Sequence, residues 1–77
     1  CGPAKTFKKY KNYPDYVGQA SAVRKVKDLA AAACLASDDT YWLCSASVTS
    51  LTGSCGFNDY WNEWRCSGTA YCSYSAL

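Results

Sequence analysis

The sequence predicts a small α+β domain held by disulfides, a two-layer sandwich with two helices on one face of a short sheet. Three observations predict it. Six cysteines stand in 77 residues, an even count that reads as three bridges in a chain too short to bury a large core. A helix-period apolar stripe runs through the alanine-rich stretch 17–36. Two later segments alternate with period two, as half-buried strands do.

The chain reads as one domain, residues 1–77, with residues 1–16 as a basic and aromatic arm. Four valines, five leucines and no isoleucine make a thin aliphatic supply, so the three tryptophans, seven tyrosines and two phenylalanines are expected to fill much of the core. A disulfide contributes about 2–4 kcal/mol, comparable to much of the net stability of so small a domain. Cys1, Cys34, Cys44, Cys55, Cys66 and Cys72 contain no C-x-x-C pair, the usual zinc spacing, so bridges are favoured over metal. Six cysteines allow 15 pairings, and spacing does not choose among them.

In order along the chain, Pro3 and Pro14 bracket a stretch that cannot be one continuous helix. An extended arm or edge strand is expected over residues 4–10, then a turn within residues 12–15. Asp15 is a candidate helix cap. The helix then runs over residues 17–36, with Val23, Val26, Ala30, Ala33 and Cys34 inward and Arg24, Lys25, Lys27 and Asp28 outward. Residues 38–55 admit two readings. Trp42, Cys44, Ala46 and Val48 alternate as a strand, whereas Tyr41, Cys44, Val48 and Leu51 share a helical face capped by Asp38 or Asp39. Serine, threonine and valine density favours the strand, with Gly53 and Gly56 as turns. Phe57, Tyr60, Trp61 and Trp64 fall at i, i+3, i+4 and i+7, which predicts a second, short helix with an aromatic core face. Asn58 or Asp59 would cap it and Gly68 would end it. A last short strand is expected over residues 69–75.

Charge is lopsided. Residues 1–27 carry seven cations against Asp15 alone, and residues 28–77 carry Arg65 against five acids. The lysines interleave with aromatics, so the binding candidates are Lys5, Phe7, Lys8, Lys9, Tyr10, Lys11, Tyr13 and Tyr16, with Arg24, Lys25 and Lys27 beside them. Clustered cations attract anionic membranes and acidic protein surfaces. Nucleic acid is not an expected partner, because disulfides place the chain in an oxidising compartment. Histidine is absent, which removes the usual general base and the commonest metal ligand. Asp59 and Glu63 would share a helix face, yet read as solvated acids rather than an acid/base pair. The expectation is therefore no enzyme, no metal and no cofactor.

Cys1 at the first position predicts a processed, mature secreted form, and the chain has no N-x-S/T sequon. The longest apolar run, residues 29–36, is far short of the ~20 residues of a membrane span. A secreted toxin or effector binding a membrane or cell-surface protein is the leading expectation. A receptor-binding signal is the second, and a hydrolase inhibitor using residues 47–54 as an exposed loop is the third.

Ala31-Ala32-Ala33-Cys34 closing the first helix, Gly53-Ser54-Cys55 before the second, and Trp64-Arg65-Cys66 closing it, followed by Cys72, form a further pattern. Over roughly residues 20–72 this order resembles the virally encoded killer toxins of smut fungi and the small secreted fungal effectors that share their fold. That resemblance implies an α+β toxin, and a second subunit or self-association. With a helical middle segment the chain resembles ciliate mating pheromones instead, which implies a three-helix disulfide bundle.

Overall fold

A computed structural model describes residues 1–37 and 43–77. Strand β1 (Lys5–Pro14) leads through a 3₁₀ turn (Asp15–Val17) into helix α1 (Gln19–Ala36), followed by strands β2 (Cys44–Asn58) and β3 (Glu63–Ala76). The sheet is antiparallel with order β1-β3-β2. Helix α1 packs on one face of this sheet, and among the described residues no helix covers the other. The architecture is α+β, but the described residues hold one α-helix rather than two and form no three-helix bundle. The expected positions of Asp38, Asp39, Tyr41 and Trp42 lie outside the described residues.

β1 runs four residues further than its sequence suggests. Its ladder with β3 extends from Lys5 opposite Cys72 to Pro14 opposite Glu63, so the turn starts only at Asp15, the last residue of the stretch 12–15, and runs on to Val17. Proline is tolerated at Pro14 because it ends an edge strand. Successive side chains of a strand alternate between faces. Phe7, Lys9, Lys11 and Tyr13 therefore stand on the helix side, and Thr6, Lys8, Tyr10 and Asn12 on the uncovered side.

Asp15 does not cap α1 through its side chain. Its carbonyl accepts the Gly18 N–H at 3.2 Å, and Gly18 itself is the N-cap, at φ +82°. Left-handed backbone is favourable there only for glycine. The fully covered stripe is Ala22, Val26, Ala30 and Cys34, a strict four-residue row. Val23 and Ala33, expected inside, are half-buried at its margins. Arg24, Lys25 and Asp28 are exposed as expected, but Lys27 is half-covered because its methylene stem lies over Gly53. At the other end the Ser37 hydroxyl donates to the Cys34 carbonyl and lies 2.6 Å from the Tyr74 hydroxyl.

The middle segment is a strand, with a phase shift that alternation alone does not show. Val48 pairs with Cys72 and Ser50 with Tyr71, so Thr49 is an extra, bulged residue. Cys44, Ala46 and Val48 face the helix before the bulge, and Leu51, Gly53, Cys55 and Phe57 face it afterwards. Gly53 and Gly56 are thus strand residues rather than turns, and residues 47–54 are strand rather than an exposed loop.

The second helix is replaced by a β-hairpin. Phe57 and Trp64 are cross-strand partners with ring centroids 4.9 Å apart. Seven-residue spacing brings two rings together on a helix, and it does so equally across a hairpin with a four-residue loop. Asn58 does cap, but for the loop: its Oδ1 accepts the Trp61 N–H at 2.9 Å, and Asn62 closes the turn at φ +51°. Gly68 does not end a helix. It is buried mid-way along β3, which runs over Glu63–Ala76 instead of 69–75 alone.

The core is built of small residues. One group gathers Tyr13, Ala22, Val26 and Cys66, with Val17, Cys55 and Trp64 against it; a second gathers Ala30, Cys34, Ala70 and Cys72, with Phe7, Ala46, Val48, Leu51 and Tyr74. The largest fully buried side chains are Val26, Cys34 and Cys72. Aromatics therefore do not fill the interior as their number suggests: Trp64 is partly covered, and Trp61 is 64% exposed. Close approach of helix to sheet takes the place of bulk. Three bridges, Cys1–Cys44, Cys34–Cys72 and Cys55–Cys66, select one of the 15 pairings. Two of them sit inside the two core groups.

Candidate binding surfaces

The uncovered sheet face collects polar side chains from all three strands. β1 contributes Lys8, Tyr10 and Asn12, β3 contributes Arg65, Ser67, Thr69 and Tyr71, and β2 contributes Ser50, Thr52 and Ser54, all placed by register and alternation. A shallow open groove of about 370 Å³ crosses this face, lined by Tyr10, Asn12, Ser54, Arg65, Cys66 and Ser67.

Glu63 orients the groove's cation. Its Oε1 accepts from Arg65 Nε at 3.3 Å and from Asn12 Nδ2 at 3.4 Å. The Arg65 side chain stays about half exposed. A guanidinium tied at Nε still presents its terminal N–H donors, in a fork that suits carboxylate or phosphate. Lys8 Nζ lies 5.8 Å from the centroid of the Tyr10 ring, which sets a second cation beside a wide aromatic surface.

The structure divides the sequence candidates rather than gathering them. Lys8 and Tyr10 belong to the groove face. Lys9 and Lys11 stand on the helix side, with Lys11 Nζ 5.7 Å from the Tyr13 ring. Tyr13 is buried in one core group and Phe7 packs against the other, so these two support the strand from beneath. Burial, and secondarily the Asp28 charge, raise the Tyr13 pKa above its ordinary value of 10.0. Lys5 stands opposite Cys72, towards the far end of β1. Arg24 and Lys25 are exposed on α1, Lys27 covers Gly53, and Tyr16 is exposed beside the hairpin end. Arg65 and Asn12 are groove residues that sequence reasoning did not select. They are register partners, so only strand pairing joins them.

Asp59 and Glu63, expected on one helix face, lie instead in the hairpin loop and at the start of β3. Among the described residues no helix is long and apolar enough to cross a membrane, and no group of three His, Cys, Asp or Glu could hold a metal ion. Family models, curated protein sequences and solved structures give no significant match to this chain.

Proposed function

We propose that this protein is a secreted, non-enzymatic toxin or effector that acts by binding an acidic cell-surface protein through the uncovered face of its sheet. Three disulfides in a small protein are consistent with an extracellular setting. One observation carries the reading: Arg65, aimed by Glu63 and Asn12, shares a rigid open face with the Lys8–Tyr10 pair. Opposite charge steers encounter, and a face already fixed by bridges loses little entropy on docking. Lys9, Lys11, Arg24 and Lys25 add to the attracting field without belonging to the contact.

The test is binding of labelled protein to susceptible cells. Raised salt weakens attachment, and Lys8→Glu with Arg65→Glu lowers affinity roughly tenfold or more. Lys9→Glu, on the opposite face, lowers it by only about twofold. Equal losses from the two faces would remove the groove from the reading, and unchanged binding in all variants would end it.

A further inference from the structure

One end of the molecule displays aromatic surface that the groove does not use. Tyr60 is 81% exposed, Trp61 64% and Phe57 43%. Tyr16, 85% exposed, stands at the same end, where the Asp15 carbonyl accepts the Trp64 indole N–H at 3.4 Å and Pro14 faces Glu63. Large aromatics displayed together, in a chain with so little else to bury, mark a contact surface. The molecule is 46 Å long and only 16 Å across, so this surface is a narrow pole.

We infer that the Asp59–Asn62 hairpin tip is a membrane-interface anchor, which inserts Tyr60 and Trp61 into the headgroup–acyl boundary of a zwitterionic bilayer. The inference does not rest on the groove, because none of its inserting residues lines it. The two rings meet edge-to-face, with centroids 4.8 Å apart and planes at 81°. That geometry makes a wedge and not the flat platform on which sugar rings stack. The Asn58 side chain accepts the Trp61 backbone N–H, so the loop backbone that carries the two rings is set before contact. Tryptophan and tyrosine favour the bilayer interface, where the ring meets acyl chain and the N–H or O–H meets water.

Charge chooses the lipid. Asp15, Asp59 and Glu63 lie at this pole, and carboxylates are repelled by anionic headgroups but compatible with choline. Behind them come Arg65, two positions along β3 from Glu63, and Lys11, which pairs with Cys66 one position further. At ~3.3 Å per residue the backbone positions of Arg65 and Cys66 lie about 7–10 Å behind Glu63, so both cations are rooted on the stem and not in the tip.

The experiment uses the oxidised full chain with phosphatidylcholine vesicles, and with vesicles containing phosphatidylglycerol. Native protein co-sediments with phosphatidylcholine and its tryptophan emission shifts to the blue. Tyr60→Ser/Trp61→Ser, which alters only exposed side chains and keeps the native near-UV circular dichroism, loses roughly tenfold or more in partition. Trp61→Phe still sediments but loses the blue shift. Asp59→Asn retains phosphatidylcholine binding and gains on phosphatidylglycerol. No partition of the native chain onto phosphatidylcholine would overturn the inference. So would equal partition by the double serine variant, or binding confined to the anionic vesicles.

Discussion

Gly53 and Gly68 face each other across the β2–β3 ladder, directly beneath the Val26–Lys27 turn of α1. A Cβ at position 68 would lie 2.4 Å from the Val26 carbonyl oxygen, and one at position 53 would lie 2.5 Å from Cγ of Lys27. The glycine pair is what allows the helix backbone to rest on the sheet between the two core groups. A carbonyl cannot yield without moving the helix, whereas a lysine stem can swing away. Gly68→Ala is therefore expected to cost about 3 kcal/mol and Gly53→Ala about 1 kcal/mol. Urea melts followed by circular dichroism check the order, and an equal or reversed effect would refute this account of the packing.

Cys34 and Cys72 are both fully buried and join the end of α1 to the central strand over 38 residues of chain. Cys55 and Cys66 join directly paired positions of one hairpin, 11 residues apart. Loop-closure entropy assigns about 4 kcal/mol to the first and about 3 kcal/mol to the second. The first also fills the core, so Cys34→Ala/Cys72→Ala is expected to lose more than that difference suggests. Denaturation midpoints of the two double variants, read by near-UV circular dichroism, decide it; a gap no larger than the loop term of about 1 kcal/mol would show that core position adds nothing.

Tyr13 gives the alkaline behaviour a definite sign. Its folded pKa is raised, by burial first and by Asp28 second. Above pH ~10 the unfolded tyrosine ionises while the folded one still holds its proton. The unfolded state then binds fewer protons, so stability is intact below pH 10 and declines as pH rises towards the folded pKa. Melting temperatures across pH 9–11 are expected to fall for the native protein, and to fall less steeply in Tyr13→Phe. Parallel declines in both proteins would exclude Tyr13 as the cause.

The sequence by itself determined the local terms: one strong helix over residues 17–36 from alanine content and a stripe at three- and four-residue steps, a last strand from alternation over residues 69–75, and a bridged framework from six cysteines, while over residues 38–55 it favoured a strand and left a helix open. These signals are carried by neighbours in the chain and need no partner to be legible. The tertiary structure alone decided the disulfide pairing, the hairpin at Phe57–Trp64, and the bulge at Thr49 that moves Leu51 and Cys55 onto the helix side. A seven-residue aromatic spacing satisfies a helix and a hairpin equally, and only pairing along the whole of β3 settles it. The candidate surface divides the same way. Its lysines were visible as a run, but which of them share a face with Arg65 depends on strand register, a relation between residues more than 50 positions apart.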